Sequence, residues 1–170
     1  MNVLLSVLRR AVALFALVVL LAGCGGDFPP WSAPASTAPV AVRMTASGEI
    51  ETLLVACTPA RISRFEVIAP SDGVLDETDP RVWQVDFTPP VPDLHSVVLG
   101  VAPPGGAVRI PWPAAGLPGE SEASYVVRAV LEDGERWDLG FRPERIANGE
   151  VRFRERDLSP ETFAEQSRCP

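Results

Sequence analysis

The sequence predicts an all-β domain: a sandwich of short strands closed by one short C-terminal helix. Three observations predict it. Apolar residues alternate with period two in run after run from Val40 onward, helical periodicity is scarce, and proline and glycine clusters punctuate the runs. A short strand with one apolar face can bury it only against another layer, so many such strands with regular turn signals imply two stacked sheets.

The elements follow in order. Residues 49–57 read as a first strand. Residues 62–69 put Phe65 and Val67 on one face. Residues 81–87 put Trp83, Val85 and Phe87 on one face and Val82, Gln84 and Asp86 on the other. The apolar run 95–102 has the character of a central strand, and 107–112 alternates Val108, Ile110 and Trp112. Residues 124–131 group Tyr125, Val127, Ala129 and Leu131, and 136–141 group Trp137, Leu139 and Phe141. Between those two runs Asp133-Gly134 is a hairpin signal, because a type I′ turn needs φ > 0 at both central positions. Residues 150–155 point Val151 and Phe153 inward and Arg152 and Arg154 outward. Pro89-Pro90, Pro103-Pro104-Gly105-Gly106 and Pro118-Gly119 mark turns. Ser159 is suited to cap a helix, Pro160 to its first position and Glu161 to its positive end, with the helix running to about Ser167.

Leu117-Pro118-Gly119 followed by Tyr125-Val126-Val127-Arg128-Ala129-Val130 resembles the corner and penultimate strand of fibronectin type III domains. Trp83 stands where such domains bury a Trp on an early strand. The resemblance implies an immunoglobulin/fibronectin III-like β-sandwich, an architecture rather than an activity. The chain departs from that pattern in the longer stretch between Gly119 and Tyr125 and in an added strand and helix after residue 143.

The N-terminus has a different character. A short basic stretch ending in Arg9-Arg10 precedes an uncharged apolar run from Ala11 to Ala22, then Leu21-Ala22-Gly23-Cys24. That is the order of an export signal, and the run is shorter than the ~20 residues a membrane span needs. Ala-Val-Ala after the arginine pair departs from the twin-arginine pattern, so general secretion is expected.

Leu21-Ala22-Gly23-Cys24 resembles the lipobox of bacterial lipoproteins at all four positions. The resemblance implies that residues 1–23 are a signal peptide removed on export. It also implies that diacylglycerol is joined to the Cys24 sulfur, and that the mature protein begins at Cys24 on the extracytoplasmic face of a cell membrane. Two acyl chains hold a protein where one binds only marginally. Residues 24–39 follow as a tether rich in proline and glycine, with Phe28 and Trp31 its only large groups. Residues 40–170 form the ectodomain.

Charge narrows the partners. The formal net charge is −7, and losing Arg9 and Arg10 makes it more negative by two. An acidic body gains nothing from phosphate attraction, so nucleic acid is not an expected partner. An anionic membrane surface would repel it, leaving the membrane link to the lipid.

Cys57 and Cys169 remain once Cys24 is lipidated, an even pair in an oxidising compartment. A disulfide between them would clip the tail to the start of the domain, worth about 4–5 kcal/mol in the chain-entropy model. Two free thiols or an intermolecular bond are the alternatives. His95 is the single histidine, with no identifiable partner, and no Gly-x-Ser-x-Gly elbow exists. No metal is expected: zinc needs several His or Cys ligands. Asp72, Asp76, Glu77 and Asp79 lack EF-hand spacing and read as a solvated loop.

The loop 111–124, with Trp112 between prolines and Tyr125 just beyond it, is the candidate binding surface. The alternative makes Trp112 a core residue at a strand end. These features lead to a lipid-anchored, non-enzymatic envelope protein that binds another envelope component or supports an assembly. Its only prosthetic group would be the covalent lipid at Cys24. The alternative is a cell-wall-active enzyme or solute-binding accessory, which would need a deep pocket holding His95 or convergent carboxylates.

Overall fold

Alternation decides which side of each strand leaves water. Phe65 and Val67, Trp83, Val85 and Phe87, the odd-numbered residues Tyr125 to Leu131, and Trp137, Leu139 and Phe141 are all buried, as their period-two placement predicts. The computed structural model describes residues 38–71, 74–92, 94–117, 124–147 and 149–168. The described strands are β1 (Val40–Met44), β2 (Ile50–Leu54), β3 (Arg61–Ile68), β4 (Arg81–Pro92), β5 (Ser96–Val98), β6 (Gly106–Ile110), β7 (Tyr125–Leu131), β8 (Arg136–Phe141), β9 (Val151–Phe153) and β10 (Arg156–Leu158). Helices α1 (Pro143–Ile146) and α2 (Pro160–Gln166) complete the list.

The domain is all-β. Its strands form two five-stranded sheets, β10-β9-β1-β2-β5 and β6-β4-β3-β7-β8, with antiparallel pairing throughout. The inner residues of the second sheet share one cluster with Val40, Val42, Leu54, Val97 and Leu99 from the first. Ala38 packs on that cluster, and the Val55 N–H donates to the Pro39 carbonyl at 2.7 Å. Ala38 and Pro39, within the stretch read as tether, thus already touch the domain.

Three strand expectations need correction. The run 95–102 yields only β5, an edge strand paired with β2 alone. Gly100 adopts φ +86 and turns the chain, leaving Val101 53% exposed. The alternation at 107–112 yields β6, also an edge strand, and Val108 is 46% exposed. Val151 and Phe153 are buried, but not between the sheets. Phe153 pairs with Ala41, whose side chain lies opposite those of Val40 and Val42. These residues form a second cluster under α2. There the Phe163 ring meets Phe153 edge-on at 5.4 Å. The α2 start is as its residues dictate: Ser159 is extended and its hydroxyl accepts from the Thr162 N–H.

Turn chemistry is redistributed as well. The β7–β8 hairpin forms at Asp133-Gly134, but only Gly134 has positive φ. Leu131 N–H donates to Glu135 O at 2.8 Å, and Gly134 N–H to Leu131 O at 3.1 Å, which makes a three-residue loop rather than a type I′ turn. The Asp133 carboxylate holds this form by accepting the Glu135 N–H at 2.9 Å. The pair with positive φ at both centres is Arg154-Glu155, at φ 48 and 61, between paired Phe153 and Arg156. The strand expected through residue 155 therefore ends at Phe153, and β10 follows.

Side chains with a Cβ pay about 1–2 kcal/mol in that conformation. The Arg154 guanidinium lies 4.8 Å from the Phe153 ring centre and offsets part of this. Arg154→Asn with Glu155→Gly is expected to stabilise the domain by about 1 kcal/mol. A chemical denaturation midpoint that moves down instead would refute the strain.

Candidate functional site

The lipobox residues Leu21, Ala22, Gly23 and Cys24 and the partner cysteine Cys169 lie outside the described residues. Cys57 is exposed in the loop after β2 and is no free thiol. Leu53 and Val55 pack with Phe163 of α2, so the approach to Cys57 and the helix preceding Cys169 share one cluster.

Neither aromatic of the expected binding surface offers an open ring. Tyr125 is 2% exposed, in the core beside Phe141. Trp112 leaves the end of β6 and folds back edge-on against Trp83, ring centres 6.0 Å apart. A Cβ on Gly100 would meet Trp112 Cγ at 2.9 Å, so glycine there makes room for the indole. His95 is exposed and lines a cavity of about 210 Å³ with Cys57, Thr58, Leu94 and Trp137. No carboxylate lines that cavity among the described residues.

Of the acidic run, Asp72 lies outside the described residues, Asp76 and Glu77 are exposed as a solvated loop requires, and Asp79 is not. Asp79 is buried and its carboxylate accepts the Ser71 N–H at 3.1 Å and the Asp76 N–H at 2.7 Å. Asp76 accepts from Thr78, whose side-chain and backbone hydrogen bonds hold the Asp76 carboxyl below its ordinary range. Glu77 reaches the sheet, where its hydrogen bond from Arg136 and the charges of Arg136, Arg128 and Arg81 hold its carboxyl low. No group of three or more potential metal ligands occurs among the described residues.

Glu77 joins a lattice of charges on the outer face of β6-β4-β3-β7-β8. Arg64 and Arg109 bind Asp86 at 2.9 and 3.1 Å, and Arg81 binds Glu66 at 3.3 Å. Arg128 grips Asp138 with two bonds of 2.8 and 2.9 Å. Burial works against the Asp86 charge, but hydrogen bonds from Gln84, Arg64 and Arg109 outweigh it and leave the carboxyl below its ordinary range.

One group of arginines is arranged differently. A half-open cleft of about 380 Å³ lies where the Tyr125 end of β7 and the Phe141 end of β8 meet β9 and β10. Tyr125, Val126, Phe141 and Leu75 supply apolar lining, and Arg142, Arg145, Arg152, Ser124 and Asp157 supply polar groups. Ile146, fully buried, pins the single turn α1 to the core. Arg142, the extended residue that caps this turn, and Arg145 within it both line the cleft. Arg152 donates to the Gly140 carbonyl at 3.0 Å and pairs with Asp157 at 3.3 Å. Arg142 donates to Ser124 Oγ at 3.3 Å. Among the described residues neither Arg142 nor Arg145 has a carboxylate partner. Sequence reading missed this cleft. Its only linear trace is the pair Arg142 and Arg145, and Arg152 reads there as one more outward residue of a strand.

In comparisons with protein-family models, curated proteins and solved structures, nothing matches this chain.

Proposed function

We propose that this protein is a lipid-anchored binding module on the extracytoplasmic face of a cell membrane, serving a non-enzymatic binding or assembly role in the envelope. Leu21-Ala22-Gly23-Cys24 at the end of an apolar run carries the reading, because a thioether there supplies two acyl chains to an otherwise acidic body. The charged cleft and the ion-paired outer sheet face support recognition of a polar envelope component.

The finer fold belongs to the same proposal. In immunoglobulin-like sandwiches, strand B lies between A and E, and C and F lie side by side between C′ and G. Here β2 lies between β1 and β5, and β4-β3-β7-β8 has the order C′-C-F-G. Tyr125 opens β7 in the position of the buried corner tyrosine of strand F. Trp83 departs from the pattern by lying on β4, and β6, β9 and β10 are additions.

A disulfide from Cys57 to Cys169 completes the reading. Intact mass measurement of the protein from membranes is expected to show a chain starting at Cys24. That chain should carry diacylglycerol, and unfolding without reductant should expose no reactive thiol. Cys24→Ser is expected to leave the protein unprocessed or released from the membrane fraction. A Cys24→Ser protein that matures and fractionates as the parent does would refute the anchor.

A further inference from the structure

We propose that the cleft between β7–β8 and β9–β10 binds a small organic oxyanion, with Arg142 and Arg145 as its recognition groups. This rests on the binding half of the proposed function and is independent of the anchor.

The convergence of Arg142, Arg145 and Arg152 on one cleft carries the inference. Arg43, Arg61, Arg64, Arg81, Arg109, Arg128 and Arg136 each meet a carboxylate within the domain. Arg154, Arg156 and Arg168 meet none among the described residues, and none of these three lines a cavity with other arginines. Arg142 and Arg145 also lack a carboxylate partner among the described residues, and both line the cleft.

The third arginine completes the arrangement. Arg152 enters the same cleft with one carboxylate partner, Asp157, so among the described residues the lining carries three guanidinium groups against one acid. Guanidinium forks match carboxylate and phosphate oxygens with paired hydrogen bonds. Ser124 Oγ, already within hydrogen-bond distance of Arg142, adds a neutral polar group at the rim. Half-buried Leu75 and the little-exposed Val126 give the cleft an apolar side that suits a short carbon body behind the charged group. The volume, about 380 Å³, falls at the small end of ligand sites. Carboxylate and phosphate share this chemistry, and the test separates them.

The full chain in a non-ionic detergent at low salt would be titrated by calorimetry, once with succinate and once with inorganic phosphate. Saturable binding of at least one probe is expected, with Kd of about 10 mM or tighter and weakening as salt is added. Succinate alone would assign a carboxylate ligand, and phosphate alone a phosphate ligand. Arg142→Gln with Arg145→Gln is expected to weaken binding about tenfold or more, while Arg61→Gln on another face leaves it unchanged. Both side chains are exposed, so the double variant should keep the parent melting curve. Side-chain N–H resonances of Arg142 and Arg145 in the unaltered protein give a second reading, and should shift while that of Arg61 does not. No binding of either probe, or binding indifferent to the double variant, would overturn the proposal and leave the anchor untouched.

Discussion

Trp83→Ala is expected to destabilise the domain by about 3–5 kcal/mol, the usual cost of emptying a large aromatic site in a packed core. Trp83 is fully buried on β4, edge-on to Phe65 at 6.0 Å on one side and to Trp112 at 6.0 Å on the other. Losing it removes the surface on which Trp112 folds back, so the loop after β6 loosens with the core. Total stabilities of such domains are about 5–15 kcal/mol, and the variant would approach the limit of folding. Trp83→Phe should cost less than half as much. It keeps an aromatic ring, and the indole Nε1–H it discards has no hydrogen-bond partner among the described residues. Urea denaturation of the three proteins checks the order. A Trp83→Phe loss equal to that of Trp83→Ala would show that the indole N–H, not ring volume, matters.

Arg128→Ala is expected to cost about 1–3 kcal/mol, because it removes a nearly buried charge from a half-exposed ion pair and takes a counter-charge away from buried Glu66. The Arg128 side chain is 5% exposed. Its two bonds to Asp138 and the charges of Glu66 and Glu77 favour its protonated form against the opposing effect of burial. Glu66 lies opposite it in register and is itself buried, keeping only the 3.3 Å contact with Arg81 once Arg128 is gone. The companion variant Arg128→Met with Asp138→Leu should recover part of the loss, since an apolar pair needs no counter-charge. Denaturant midpoints at matched slope measure both. If the double variant is less stable than Arg128→Ala, the charge pair contributes more than its desolvation costs, contrary to this expectation.

The structure shows which kinds of inference a linear pattern supports. Period-two spacing identified the buried sets of β3, β4, β7 and β8, because alternate Cβ atoms must lie on opposite faces whatever covers them. Ser159 and Pro160 announced α2 because capping uses residues three positions apart. The same spacing put Val151 and Phe153 on one face but did not say that α2, rather than the opposite sheet, covers it. The apolar run 95–102 looked central although β5 is an edge, since edge or centre depends on whether a distant strand arrives. Arg154-Glu155 carries no turn signal. The pairing of β9 with β10 holds those residues in a conformation they do not favour.

By itself the sequence determined what neighbours in the chain can settle: which residues share a face, where a helix is capped, where glycine lets the chain turn, and the four-residue lipobox resemblance. Tertiary structure alone decided the sheet order, the second cluster under α2, and the partner of each charge. Arg64 finds Asp86 and Arg128 finds Asp138 across strand pairs, whereas Arg142 and Arg145 face a cleft. The reason is physical. Local conformation follows from steric and capping rules acting over a few residues, while burial and ion pairing depend on groups that only folding brings within a few ångströms of each other.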